Sequence, residues 1–405
     1  MPKIITGLDI GSAQIKGVVA AQNKDGTLSV LSVFKEPSHG FRRGILVDQE
    51  EAVRVLRGVI LDLQKVSRES TGNIFVNVNS EHIKTRFSRG VVAVARADRE
   101  IQEDDVLRAI QSAGALKPSP NHLVLHHIIR EYFIDDVGEI QDPVGMTGNR
   151  LEVDTVIIEA FAPHTNLLLK CLKQVGADIG GLVFNSLAAS NAVLSKPAKD
   201  LGVLLIDIGS GTTTIAVYEE NKVKHAKSFP IGSGYLTNDI AIGLKTSINT
   251  AEKLKLTHGY ALSKDVSRRD LIKLSDLEEA NPNEVSKRFL SEIIEIRLEE
   301  LFDLINNELK LLGKDHQLPA GAVLAGAGVK LPGLSELVRE KLKLPVQIGV
   351  PILDGFEISN PVHEEMLHDP EFATAVGLVL SGRSEKRRTA NFFQKIKDFF
   401  RNLMP

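Results

Sequence analysis

Asp9-Ile10-Gly11-Ser12 returns two hundred residues later as Asp207-Ile208-Gly209-Ser210. Each copy ends one apolar run and precedes another. Ile4–Ile10, Ile15–Ala21 and Leu28–Phe34 alternate and carry β-branched residues, so they predict three strands joined by turns. Leu201–Phe229 repeats the pattern. A meander that occurs twice, each time with an acidic, glycine-bearing first turn, predicts two similar lobes facing one crevice.

The turns themselves suggest the contents of that crevice. Successive backbone N–H groups in a tight turn form an anion-binding nest, and glycine permits close approach. Gly11, Ser12, Ala13 and Gln14 suit this role, as do Gly209, Ser210, Gly211, Thr212 and Thr213. Their hydroxyls can donate to phosphate oxygens, and Lys16 adds a point charge. Asp9 and Asp207 end facing strands, where two carboxylates could hold Mg²⁺ through water. A third loop, Gly326-Ala327-Gly328, follows the apolar stretch Ala322–Ala325 and is expected to open a helix. Its small residues leave room for a flat base, and the helix start favours an anion.

Bulk composition limits the function classes. The chain has 405 residues, 43% hydrophobic and 25% charged, with a formal net charge of −3. That length implies two or three domains, and the charge argues against general nucleic-acid binding. One cysteine, Cys171, excludes a disulfide framework and a cysteine-based metal site. A strand begins by Ile4, so no signal peptide is expected, and no run of 18 apolar residues is present. The expected location is cytoplasmic. Residues 386–405 hold six basic residues against Asp398, a basic tail on an acidic body and hence a partner signal.

Gln49–Ser67 has helical spacing, with Val53, Leu56, Val59, Ile60 and Leu63 on one face. Ile74–Val78 reads as a buried strand. Residues 86–162 read as a separate small α+β unit: strand Gly90–Ala95, helix Gln102–Ala113, then strands Leu123–Phe133 and Arg150–Ala160. Helix Asn166–Val175, strand Asp178–Val183 and helix Leu187–Leu194 follow. After the second meander, Gly234–Leu244 and Ile248–Lys255 look helical. Val285–Leu312 is a long amphipathic helix with Phe289, Ile293, Ile296, Leu301, Ile305 and Leu309 on recurring positions. A late helix, Glu371–Leu380, leads into the polar stretch Ser381–Thr389 and a terminal helix, Ala390–Met404. His126 and His127 are adjacent in a strand and point to opposite faces, which suits structural roles better than one shared metal.

Two D-x-G-[ST] turns, a late G-x-G loop and a duplicated α/β lobe resemble the actin/Hsp70/sugar-kinase ATPase superfamily. Within it the chain is similar, nearly end to end, to the FtsA family of bacterial division proteins. The residues that carry this are Phe41-Arg42-Arg43-Gly44, Val78-Asn79-Ser80, Asp142-Pro143-Val144-Gly145-Met146-Thr147-Gly148-Asn149-Arg150-Leu151 and Gly232-Ser233-Gly234. The resemblance implies an actin-like, ribonuclease H-like α/β fold. Its first lobe would comprise 1–85 and 163–200, with 355–381 packing back on it. A small SHS2-type subdomain would occupy 86–162, inside that lobe. The second lobe would comprise 201–240 and 311–354, with an extra subdomain at 241–310. A linker at 382–390 and a membrane-targeting helix at 391–405 would complete the chain.

It further implies that ATP is the ligand, with Gly326–Gly328 as the adenosine loop. Gly232 and Gly234 would border ribose and phosphates, and Glu252 and Lys255 would line the adenine side. The water-orienting position of active superfamily members falls on Asn185, which is short and a poor base, so slow or absent hydrolysis is expected. The implied role is an actin-like cell division protein. It would polymerise, tether the FtsZ ring to the inner face of the cytoplasmic membrane and recruit later division proteins through the inserted subdomain. The FtsZ C-terminal peptide would be gripped by residues 241–310, with Arg288 and Arg297 as candidate contacts. A pilus-assembly scaffold of the same superfamily and a sugar or acid kinase are the alternatives.

On a helix, Phe392, Phe393, Ile396, Phe399, Phe400, Leu403 and Met404 occupy an arc of about 140°. Lys395, Lys397 and Arg401 fall on the other side. A basic, phenylalanine-rich amphipathic segment of this kind suits an anionic membrane surface.

Overall fold

A computed structural model describes residues 3–276 and 284–384. The strand Lys3–Ile10 is buried along almost its whole length, as expected for a strand covered on both faces. It pairs antiparallel with Gln14–Gln22, which pairs with Leu28–Pro37. On its other side lie Ile74–Val78 and Ile179–Phe184, both parallel, and the short Phe356–Glu357 closes the far edge. The second meander builds the same arrangement. Val203–Ile208 pairs antiparallel with Thr213–Glu219 and that with Lys222–Phe229, while Ala322–Ala325 and Val346–Ile348 run parallel on the other side. Three antiparallel strands followed by two parallel ones, twice over, is the duplication expected from the repeated tetrapeptide.

Asp9 lies opposite Lys16 and Asp207 opposite Thr214, so both acids reach the same end of their sheets. Helices cover the faces. Gln49–Val66 shows why such a helix forms: Asp48 caps its first turn, Glu50 and Glu51 follow there, and Lys65 sits in the last turn. Its buried face is Ala52, Leu56, Val59, Ile60 and Leu63.

Helices Asn185–Val193 and Ala373–Ser384 cross between the two sheets. They come closest at Gly377 and Ala188. A Cβ added at Gly377 would stand 1.8 Å from the carbonyl oxygen of Ala188. The backbones are therefore in direct contact, and both helices share one core with strands of both lobes.

A separate four-stranded sheet is ordered Lys84–Ala93, Arg150–Phe161, His122–Ile134, Val137–Ile140, with helix Glu103–Gly114 on it. Its first strand begins earlier than the alternation at Gly90 suggests, because Lys84–Arg89 pair with Asp154–Glu159 although they are mostly polar. His126 Nε2 accepts the N–H of Phe184 at 2.9 Å, and burial pushes its pKa down to about 4, in keeping with a structural residue.

Two expectations need correction. The long helix runs Lys287–Leu311, but its buried stripe in the first half is Leu290, Ile294 and Leu298, while Phe289 and Ile296 are exposed. Two apolar stripes run side by side there, and only the inner one packs into the neighbouring core. The last described helix continues to Ser384, so the polar stretch expected to start at Ser381 begins as helix.

Candidate functional site

Both tetrapeptide turns close in the same way, Gly11 N–H on Gln14 C=O and Gly209 N–H on Thr212 C=O, each at 3.0 Å. The turns face each other. A Cβ on Gly211 would lie 2.6 Å from Ser12 Oγ and 2.8 Å from Arg43 Cα, which is why the second turn needs glycine there. Gly11, Ser12, Ala13, Gln14, Lys16, Gly209, Ser210, Gly211 and Thr212 all line one crevice, together with Gly326 and Ala327.

Asp9 and Asp207 form its floor, each 5% exposed. Lys16 Nζ lies 3.1 Å from Asp9. Burial disfavours the Lys16 charge, but Asp9 outweighs it and holds the ammonium above its usual range. Asn77 joins the two sides. Its amide nitrogen donates to Asp9 at 2.9 Å and to Asn185 Oδ1 at 2.7 Å, and its oxygen accepts Ile10 N–H at 2.7 Å. Asn185 Nδ2 then donates to Asp207 Oδ2 at 3.0 Å, which also accepts from Thr374. Burial, then the Asp9 charge, pushes the Asp207 carboxyl up to about 6. Two enclosed carboxylates share one lysine, so the floor suits an added cation such as Mg²⁺.

Thr213 is not in this lining. It opens a strand, pairs with Phe229 and Ile208, and is fully buried with an unpartnered Oγ1. Gly232 and Gly234 lie behind the second turn: Gly234 N–H donates to Ser210 C=O at 2.8 Å, and a Cβ on Gly232 would meet that carbonyl at 2.6 Å. Lys255 is buried against Glu252, Thr237 and the Ser233 carbonyl, so it ties two helices together beside those glycines. Gly326 has φ +89° and packs on Asp207, and Gly328 packs on Ile208. The loop enters a 3₁₀ turn, Ala327–Lys330, and the α-helix starts only at Leu334, which removes the expected helix start from the loop. Arg297 is committed to Asp239 through two hydrogen bonds, and Arg288 pairs with Glu292. Phe392, Phe393, Ile396, Phe399, Phe400, Leu403, Lys395, Lys397 and Arg401 lie outside the described residues.

The sequence did not single out Asn77, Thr374 or Glu371, which also line the crevice. Nothing in their neighbourhoods marks them, because their partners lie far along the chain.

The chain matches the family model "Cell division protein FtsA" over residues 204–377 and "SHS2 domain inserted in FTSA" over 80–159. It is 33% identical over 380 residues to the cell division protein FtsA of Pseudomonas aeruginosa, covering 94% of this chain and 89% of that protein. The chain belongs to the FtsA family. The FtsA of Bacillus subtilis is 32% identical over 377 residues, covering 93% of this chain and 83% of its own length. FtsA membership makes this an actin-like cell division protein and decides against the pilus and kinase alternatives. A PilM–PilN type IV pilus biogenesis complex shares the fold, with TM-score 0.64 and 18% identity over 94% of this chain and 98% of that one. MreB5 of Spiroplasma citri bound to ADP also shares it, with TM-score 0.56 and 13% identity over 96% and 99%. The fold is thus the actin-like one that these proteins share. Among the described residues no helix is long and apolar enough to cross a membrane.

Proposed function

We propose that the chain binds ATP with Mg²⁺ in this crevice, assembles with copies of itself and ties the FtsZ ring to the inner face of the cytoplasmic membrane at the division site. The observation that carries the reading is the pair of equivalent turns closing on one acidic floor in a chain of this family. Mg²⁺, when bound, would neutralise charge on the outer phosphates, and Asp9 and Asp207 would hold it through water. Lys16, Ser12, Ser210 and Thr212 would take phosphate oxygens. Gly326–Gly328 would carry the adenosine, with Gly232, Gly234, Glu252 and Lys255 supporting its ribose and base side.

Asn185 supports slow or absent hydrolysis. Its oxygen already accepts from Asn77 and its nitrogen donates to Asp207. No lone pair of suitable basicity remains to draw a proton from water. The bound nucleotide then acts as a structural element that keeps the lobes together.

The extra region at 241–310 suits an FtsZ peptide through the exposed Phe289 and Ile296 on the long helix, with Arg288 and Arg297 at their side. An acidic peptide would have to compete with Glu292 and Asp239 for those arginines. The inserted sheet would receive later division proteins. The tail supplies membrane contact. One such segment binds reversibly, because ordering about 15 residues costs roughly 1–2 kcal/mol each. Several tails on one assembly add avidity without new contacts.

Co-sedimentation with anionic liposomes tests this reading, using the full chain and a 1–385 chain, each with and without ATP and an FtsZ C-terminal peptide. The full chain should pellet with the vesicles, more so with ATP, and bring the peptide with it. Equal pelleting of the 1–385 chain, or no response to ATP, would overturn it.

A further inference from the structure

The hairpin Phe41–Arg42/Ile45–Leu46 is a two-plus-two-residue device anchored in the first-lobe core by Leu46 and Phe41, and its tip touches both phosphate turns. Gly44 N–H donates to Ser12 Oγ at 3.0 Å on the first turn. The Arg43 backbone lies against Gly211 on the second. Gly44 itself is pressed onto the carbonyl of Asn79, whose amide nitrogen donates to Thr212 at 2.5 Å. The tip therefore bridges the two lobes at the phosphate end of the crevice.

Arg43 and Gly44, with φ +52° and +73°, are the two central residues of the turn, and positive φ at both is the geometry a two-residue hairpin favours. The tip is therefore held in one shape by the turn itself. The Arg43 side chain is half-buried and has no carboxylate partner among the described residues; its guanidinium rests on the ring of Tyr235, 5.2 Å from the centroid. A cation held by a ring face exchanges readily for an anion that offers charge-assisted hydrogen bonds. The crevice supplies the need. Among the described residues lining it, Lys16 is the only cation, and it is already paired with Asp9. A triphosphate brings more negative charge than that lysine can meet.

We propose that Arg43 is a phosphate-contacting residue and that its hairpin is a strap. On nucleotide binding the guanidinium leaves Tyr235 for the outermost phosphate, so the strap closes on a nucleoside triphosphate and not on a diphosphate. The proposal rests on the nucleotide reading of the crevice.

Equilibrium titration of the full chain with fluorescent ATP and ADP analogues in Mg²⁺ tests it, with thermal melting without nucleotide as the folding control. Arg43→Ala should weaken ATP binding about tenfold or more and ADP binding less than about threefold, at an unchanged melting temperature. Arg43→Lys should recover part of the loss. Tyr235→Leu should keep or tighten ATP binding, because the ring competes for the guanidinium. Unchanged ATP affinity in Arg43→Ala, equal weakening of both nucleotides, or a Tyr235→Leu loss as large as that of Arg43→Ala would overturn the strap. If the unmodified chain bound neither nucleotide, the crevice reading itself would fall; if it bound both and Arg43→Ala bound both with the same affinities, only the strap would.

Discussion

Replacing Gly377 with alanine tests whether the two central helices are as close as described. The added carbon would stand 1.8 Å from the Ala188 oxygen and 2.3 Å from its carbonyl carbon, both backbone atoms that no rotamer change can move. Relief requires the helices to part by roughly 1.5 Å to reach ordinary contact. Overpacking of a tight core costs about 1–3 kcal/mol, and parted helices lose dispersion contacts along their length as well. Alanine in a helix returns about 1 kcal/mol through propensity. These two effects leave a net loss of up to about 2 kcal/mol, and the lost dispersion contacts add to it. Gly58, midway along Gln49–Val66, has nothing within 4 Å of an added carbon. Gly58→Ala should therefore show the propensity gain alone, up to about 1 kcal/mol. Urea unfolding of both variants measures the contrast. Asn185 and Thr374 lie at the crevice ends of the parted helices, so Gly377→Ala should also weaken nucleotide binding. If the two variants had unfolding free energies within about 0.5 kcal/mol of each other, the direct contact would be wrong.

Two further outcomes follow from buried charge. Lys16→Met removes the cation from a floor of two enclosed acids and should cost about 3–5 kcal/mol at pH 8 without nucleotide; adding Asp9→Asn should restore much of it, and strictly additive losses in the same unfolding assay would refute the pairing. His126 is held near 4 in the fold against 6.5 when unfolded, so its neutral form is favoured and stability falls as pH drops below 6.5. The cost should reach about 1–2 kcal/mol at pH 5, because a protonated Nε2 cannot accept the Phe184 N–H. An unfolding midpoint in urea that stayed flat from pH 7 to pH 5, or that fell equally in His126→Gln, would count against it.

The repeated tetrapeptide made the two sheets readable, because alternation and turn chemistry are local. Residues on the turns themselves were placed by the same logic. Thr213 shows its limit: it is next to Thr212 in sequence, but the strand begins there, and alternation turns its side chain into the core. The Asn77–Asn185 bridge joins residues 108 apart in the chain, and no periodicity encodes that. Phe41-Arg42-Arg43-Gly44 carries the family resemblance, but its place over the crevice was hidden for a different reason. Four paired residues are too few to carry a pattern, and an arginine with positive φ looks like any other. On the long helix, hydrophobic spacing found the helix but could not choose between two apolar stripes; only the neighbouring core made that choice.

Helix Ala373–Ser384 is wedged against Asn185–Val193, between the sheets, and the described chain ends with it. The far end of that helix rests on the first lobe: a Cβ on Gly382 would lie 2.6 Å from Ile5 and 2.7 Å from Phe75, and Lys3 Nζ donates to the Gly382 carbonyl. Its start reaches the other lobe, where Thr374 donates to Asp207. One rod thus touches the acidic floor at its beginning and hands the chain onward from the opposite side of a single lobe.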